Sequence, residues 1–340
     1  MQLPNIDVAR IKYQQEPTWC ASNAIMQRLD DDISRVARSN HPVLITGESG
    51  TGKTTIAHII HQRSPRANAN LVDINCAAIP EALIESELFG FERGAFTSAT
   101  GHKRGLFQVA ENGTLVLDEV GELKLELQAK LLKAIEQQMI RRLGGTRDIH
   151  CNVRVIAASS RNLQRMVKLR AFREDLYYRL AVFELDVPPL RDRRDDVKEL
   201  IKRQLSIEQD RLGLKERIRI QERAIDELCA YSWPGNIRQL NNVVIRLASV
   251  ANGRVISSAH VHEELSHFST LEPETIILPD SCSTFFLGER MTSFLDRVRK
   301  TVIDEIKVHS NGSTTEAARR LGVDRTALHK MVHRLDTLKK

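Results

Sequence analysis

Apolar positions along the chain follow two different periods. Five short runs are mostly apolar: Val43-Leu44-Ile45-Thr46, Leu71-Val72-Asp73-Ile74-Asn75, Thr114-Leu115-Val116-Leu117-Asp118, Val153-Arg154-Val155-Ile156-Ala157 and Phe183-Glu184-Leu185-Asp186-Val187. Such runs suit strands buried on both faces. Between them the spacing turns helical. Residues 22–39 bring Ile25, Met26, Leu29, Ile33 and Val36 to one stripe, and residues 124–138 do the same with Leu127, Leu131, Leu132 and Ile135. Strands alternating with helices predict an α/β fold, a parallel sheet covered on both faces. Ligands of such sheets sit beyond the carboxyl ends of the strands, where Thr46, Asn75, Asp118 and Ser159 fall. Pro188-Pro189-Leu190-Arg191 closes this region, and helical stretches over 195–212, 221–231 and 236–251 predict a small lid. Residues 266–280, with Pro273 and Pro279, read as a linker. Met291, Phe294, Leu295, Val298, Val302 and Ile306 then form a helical stripe, and residues 313–335 read as a helix-turn-helix.

The first strand runs into Gly47-Glu48-Ser49-Gly50-Thr51-Gly52-Lys53-Thr54, followed by a helical pattern over 55–62. Strand, glycine-rich turn, Lys-Thr and helix is the setting of a phosphate-binding P-loop. Its backbone N–H groups and the helix N-terminus cradle phosphate oxygens, Lys53 reaches the β- and γ-phosphates, and the Thr54 hydroxyl serves Mg²⁺. The third strand delivers Asp118 to the same metal, and Glu119 is placed to polarise a water. The cofactors read from this pattern are ATP and Mg²⁺.

The chain resembles the AAA+ domain of bacterial enhancer-binding proteins, the NtrC-type activators of sigma-54 RNA polymerase. The resemblance rests on the P-loop, Asn75-Cys76-Ala77-Ala78, Glu87-Leu88-Phe89-Gly90, Gly94-Ala95-Phe96-Thr97-Ser98-Ala99, residues 113–119, Phe172-Arg173-Glu174-Asp175-Leu176-Tyr177-Tyr178-Arg179-Leu180 and Trp233-Pro234-Gly235-Asn236-Ile237-Arg238. It implies that Arg173 and Arg179 act as arginine fingers on the nucleotide of a neighbouring subunit, so that hydrolysis depends on a ring, typically a hexamer. It implies that Arg238 is the lid's sensor of the phosphates, and that Asn75 holds Glu119 out of line until the partner binds. Ser159-Ser160 stands where the family usually has Thr-Asn, so Ser160 takes the place of the residue that senses the γ-phosphate. The Gly94-Ala95-Phe96-Thr97-Ser98-Ala99 tip resembles the loop that contacts sigma-54, with Phe96 read as exposed and Ser98 in place of a second glycine. Arg141-Arg142-Leu143-Gly144-Gly145 resembles the second pore-facing loop.

At the C-terminal end, residues 317–328 resemble a Fis-type helix-turn-helix. Gly322 suits the turn and Asp324 caps the next helix. Leu328, Met331, Val332 and Leu335 are read as its buried face. Arg325, Thr326, His329, Lys330, His333 and Arg334 are read as contacts to double-stranded DNA. The resulting division is a tail (1–17), an α/β ATPase subdomain (18–188), a helical lid (189–265), a linker (266–288) and a DNA-binding unit (289–340), with no receiver domain ahead of the ATPase. Two other readings stay open. In one, Ser98 has ended sigma-54 contact and the chain regulates another polymerase form; in the other, it remodels a different target.

Composition narrows the setting. Lysine and arginine number 50 against 44 acidic residues, a net charge of +6 that suits a polyanion partner. The five cysteines are scattered without a CxxC pair, which points to a reducing cytoplasm rather than a disulfide or zinc scaffold. Neither a membrane span nor a signal peptide is legible.

Overall fold

The computed structural model describes residues 23–96, 99, 101–213, 218–251, 255–269, 291–310 and 313–337. Five strands, β1 (Val43–Thr46), β2 (Leu71–Asn75), β3 (Thr114–Asp118), β4 (Arg154–Ser159) and β5 (Phe183–Asp186), form a parallel sheet in the order β2-β3-β4-β1-β5. Alternate residues of the central strands β1, β3 and β4 serve opposite cores, and β5 adds Leu185 to one of them. Leu44, Leu115, Leu117, Val155 and Ala157 pack on one side with the helix Leu125–Gln137. Val43, Ile45, Val116, Ile156, Ala158 and Leu185 pack on the other with the helices Ala24–Ala37 and Lys53–Gln62. Double-sided burial is why the three central runs are nearly continuous in apolar residues, whereas the edge strands β2 and β5 alternate buried and more exposed positions.

Three local expectations shift. Ile25 points outward, 49% exposed, while Met26, Leu29, Ile33, Val36 and Ala37 form the buried stripe. β4 starts at Arg154 and reaches Ser159, past the apolar run. Arg154 is 1% exposed and donates to the carbonyls of Ala37 and Val36 at 2.9 and 2.8 Å, so a strand guanidinium satisfies the end of the first helix. The P-loop helix begins at Lys53, two residues early, because Gly52 takes φ +101° as its N-cap.

Register brings the strand ends to one edge: Asn75 lies opposite Asp118, and Thr46 opposite both Ser159 and Asp186. Two antiparallel hairpins interrupt the α/β order. Gly90–Phe91 pairs with Lys103–Arg104, and Met139–Arg141 with Asp148–His150. The helices Asp195–Arg211, Glu222–Ala230 and Asn236–Ala251 follow as a helical lid. Trp233 is its anchor, fully buried, donating Nε1–H to Leu228 O at 2.8 Å and edge-packed on Tyr231. The helix Ser258–Ser269 ends this part of the described chain.

From Ser266 onward the chain forms a separate compact unit. Its described helices are Met291–His309, Thr314–Arg320 and Arg325–Thr337, closed around Ile303, Ile306, Ala317, Ala318 and Leu328. Leu295, expected in the apolar stripe, is 40% exposed, and so is Met331 at 42%. In the last helix, Leu328 and Val332, one turn apart, take the inward face, which turns Met331 out; the side chain of Leu335 lies outside the described residues. No described helix is long and apolar enough to cross a membrane.

Candidate nucleotide-binding site

The Lys53 ammonium is 5% exposed at the first position of its helix. Nζ donates to Gly47 O and Glu48 O at 2.9 and 3.0 Å and lies 3.9 Å from Glu119 Oε1. The charge therefore sits folded into the mouth of the loop. Burial pulls Lys53 below the ordinary ammonium range, and the charges of Glu119 and Asp118 oppose that shift. From the next position, Thr54 Oγ1 donates to Asp118 Oδ2 at 3.3 Å. Burial, then the neighbouring Glu119 charge, raises Asp118 above the usual carboxylate range. A hydroxyl and a carboxylate at a strand end, crowded by a second carboxylate, form an oxygen set suited to a hard divalent cation.

Glu119 adopts φ +53°, left-handed backbone that re-aims its side chain. Oε2 accepts from Ser160 N at 2.9 Å and Ser160 Oγ at 2.7 Å. Among the described residues no hydrogen bond joins Glu119 to Asn75. Its Oδ1 accepts from the amides of Ala77 and Ala78 at 2.9 and 3.2 Å, an Asx turn on an exposed residue. Ser159 Oγ is turned to Arg161, accepting its amide at 3.1 Å.

The lid closes on the other side of the loop. Arg238 NH1 donates to Ser49 Oγ at 2.8 Å, and Ile237 N to Gly50 O at 3.0 Å. Gly50 takes φ +79°, and a Cβ there would lie 2.5 Å from Gly235 O, so only glycine lets lid and loop approach this closely. The Glu48 carboxylate is turned to the lid side, engaged by Arg191 and Asn236.

The Sigma-54 interaction domain family matches residues 19–186, and the AAA+ ATPase lid domain family matches residues 191–275. Among curated relatives, the regulatory protein AtoC of Escherichia coli is 43% identical over 307 residues, covering 89% of this chain and 64% of that protein. The nitric oxide reductase transcription regulator NorR2 of Cupriavidus necator is 40% identical over 331 residues, 92% of this chain and 62% of that one. NtrX of Brucella abortus, solved in complex with ATP, is 32% identical with a TM-score of 0.67, covering 93% of this chain and 69% of its own. The chain belongs to the sigma-54 activator family of AAA+ ATPases. It spans from about half to two thirds of the length of the curated relatives it matches, 48% in the case of the transcriptional activator HyfR of Escherichia coli.

Several features that bear on a sigma-54 activator lie away from the P-loop. Arg173 and Arg179 are exposed on and before the helix Glu174–Leu180. Arg173 forms a bidentate pair with Asp175, Nε to Oδ1 at 3.0 Å and NH2 to Oδ2 at 2.6 Å, whereas Arg179 has no charge partner among the described residues. Leu169 and Tyr178, in the same stretch of chain, are 68% and 66% exposed. Phe96 is not the free tip residue expected. It is half-buried, edge-on to Phe91 with ring centroids 5.0 Å apart. Gly94 has φ +82° in open space, Ala95 is half-buried and Ala99 is 6% exposed. Thr97 and Ser98 lie outside the described residues, and with them the question of the missing glycine.

The segment Arg141-Arg142-Leu143-Gly144-Gly145 braces this loop. Leu143 exchanges backbone bonds with Gly90 and Glu92 at 2.9 and 3.0 Å, and Arg142 NH1 pairs with Glu92 at 2.9 Å. In the C-terminal unit Arg325, Thr326, His329 and Lys330 are exposed, while the side chains of His333 and Arg334 lie outside the described residues. Gly322 has φ +65° and Asp324 Oδ1 accepts from Thr326 N at 2.7 Å, so the turn and the helix start use those two residues. The Ser160–Glu119 contact, the Asn236 bridge and the two arginines of Leu190-Arg191-Asp192-Arg193 carried no local sequence signal. Each joins residues far apart in the chain.

Proposed function

We propose that this chain is an ATP-hydrolysing, DNA-binding activator that remodels closed complexes of sigma-54 RNA polymerase. The observation that supports it best is one cluster: buried Lys53, Thr54 against Asp118, and Glu119 held at Ser160, all at the edge where the strands end. The site residues fit ATP with Mg²⁺. The P-loop amides of residues 47–52 and Lys53 would bind phosphate oxygens, Thr54 and Asp118 the cation, and Arg238 the phosphates from the lid. ATP bound there would offer its γ-phosphorus to a water and release ADP as the leaving group, and Mg²⁺ would supply charge neutralisation at the phosphate oxygens. Glu119 orients a water and takes its proton. Lys53 stabilises charge spreading over phosphate oxygens.

Arg179, and Arg173 after leaving Asp175, complete a neighbouring subunit's site, which makes turnover depend on assembly into a ring, a hexamer by resemblance to the family. The loop 94–99, carrying Phe96, Thr97 and Ser98, contacts sigma-54. The unit formed by residues 289–340 works as a helix-turn-helix: Arg325, Thr326, His329 and Lys330, with His333 and Arg334 one turn on, lie along the recognition helix against double-stranded DNA. The α/β part then spans 18–188, the lid 189–265 and the linker 266–288.

The test is transcription in vitro from matched promoters with sigma-54 or sigma-70 holoenzyme. Open complexes should form only with sigma-54, require ATP, and vanish in Lys53→Ala. Activation confined to sigma-70 would favour a regulator that has left sigma-54. ATP turnover without effect on either would favour a remodeller of another target.

A further inference from the structure

A carboxylate within a phosphate-binding loop calls for a reason. Glu48 is the second residue of the loop, and a bare negative charge there would repel the polyphosphate the loop binds. It is not bare. Arg191 grips it with both nitrogens, NH2 to Oε1 at 2.7 Å and NH1 to Oε2 at 2.9 Å, and Asn236 Nδ2 donates to Oε2 at 3.1 Å. The Arg191 hydrogen bond holds Glu48 below the usual carboxylate range, so it stays ionised at neutral pH. A bidentate guanidinium–carboxylate fork fixes direction as well as charge, and here it turns the carboxylate toward the lid.

The neighbouring loop residues repeat the pattern. Asn236 is fully buried at φ +53° and bridges three segments: Nδ2 donates to Ser49 O at 3.0 Å as well as to Glu48, and Oδ1 accepts from Leu190 N at 2.8 Å. Ile237 N reaches Gly50 O at 3.0 Å. Arg193, 2% exposed, donates to Thr51 O at 2.7 Å. Residues 48 to 51 are thus each bonded to the connector between sheet and lid or to the first residues of the lid helix Asn236–Ala251.

We propose that Glu48 is a positioning residue, the anchor by which Arg191 and Asn236 clamp the lid to the P-loop, so that lid posture and phosphate binding are linked. The link to phosphate rests on the nucleotide reading above; the clamp does not. Linkage is reciprocal: if bound phosphate favours the clamped lid, the clamped lid raises nucleotide affinity by the same factor. Arg238 gains from the same arrangement, since its helix start is fixed over Ser49.

The test uses the full chain without nucleotide and reads hydrogen exchange at the Leu190 and Ile237 amides, which close the clamp. Glu48→Gln and Arg191→Gln should each speed exchange at both amides by about tenfold, the order expected for losing a charge-assisted hydrogen bond. The double swap Glu48→Arg with Arg191→Glu should restore protection. In parallel, mant-ADP binding should weaken several-fold in Glu48→Gln. Unchanged exchange in Glu48→Gln together with lost mant-ADP binding would overturn the proposal, because Glu48 would then act on nucleotide. A swap that folds, by circular dichroism, yet leaves exchange fast would overturn it as well. If the unaltered chain bound no mant-ADP, the nucleotide reading would fall, while the exchange readout would still decide the clamp.

Discussion

Ser160 holds Glu119. One carboxylate oxygen takes both the backbone N–H and the hydroxyl of Ser160, at 2.9 and 2.7 Å, while Asn75 spends its side-chain oxygen on the turn that follows it. If Glu119 orients the attacking water, its own orientation matters, because small misplacements cost rate steeply. Ser160→Ala removes the hydroxyl bond but keeps the N–H. We expect kcat for ATP to fall about tenfold, the scale of one hydrogen bond to a charged group, with KM nearly unchanged. Ser160→Thr, which keeps the hydroxyl, should retain most activity. Steady-state kinetics at saturating protein checks both, and equal losses in the two variants would remove the hydroxyl from the account.

The two candidate fingers start from different states. Arg173 is paired in a fork with Asp175, so reaching another subunit's phosphates first requires breaking that fork. The pair is surface-exposed and cheap to break. Arg179 is exposed and uncommitted among the described residues. Arg179→Ala should lower kcat by about 10³-fold or more, as expected for a guanidinium acting on a phosphoryl transition state. Mixing Lys53→Ala with Arg179→Ala subunits should recover activity, because some interfaces then join an intact loop to an intact finger. No recovery at any mixing ratio would place Arg179 in its own subunit's chemistry or in folding.

What the sequence disclosed, and what it hid, divides by range. The sheet was legible because its central strands are buried on both faces, which leaves a local apolar signature, and its edge strands keep an alternating one. The P-loop was legible because its glycines, Lys53 and Thr54 are consecutive. Contacts between distant residues left no such trace. Arg191 meets Glu48 across 143 positions and Arg154 meets Val36 across 118, so both arginines read as ordinary charges in the chain. Phe96 looked exposed because glycines surround it, yet Phe91 five residues earlier faces it across the loop. Met331 looked buried because apolar spacing of three and four residues is ambiguous until one neighbour fixes the helix's rotation. Leu328 does so.

Acid should weaken the α/β part through a buried imidazole. His61 is 4% exposed and its Nδ1 meets Thr114 Oγ1 at 2.9 Å. Burial first, then the positive surroundings of His58 and Arg154, push its pKa below the ordinary value, with Asp73 and the Ala67 backbone opposing. The folded state therefore favours neutral His61, whereas the unfolded chain takes up a proton near pH 6.5. Its contribution is fully present above about pH 6.5 and is lost as pH falls from there toward the folded pKa, at up to about 1.4 kcal/mol per pH unit. Urea unfolding of the unaltered chain and of His61→Gln from about pH 7.5 to about pH 5, on either side of an unperturbed imidazole, should show a shallower acid decline in the variant. Parallel curves would exclude His61 as the source.

Phe96 seats its ring on Phe91, and offering that ring to a partner would mean leaving the seat. Phe91 is fixed at the hairpin base, where Gly90 pairs with Arg104 and Phe91 also bridges to Leu143, so it is the stationary partner. Phe96 lies edge-on against it and is half-buried. An edge-to-face pair contributes about 0.5–1.5 kcal/mol beyond area burial. If the loop grips sigma-54 through Phe96, that amount opposes presentation of the ring. Phe91→Ala should therefore shift the loop toward the presented form and tighten binding of labelled sigma-54 by about 2- to 12-fold in fluorescence anisotropy, with the ATPase rate unchanged. Phe96→Ala should abolish the same binding. Weaker binding in Phe91→Ala would mean that the ring is offered to its partner while still seated on Phe91, the pair acting as a pedestal rather than a restraint.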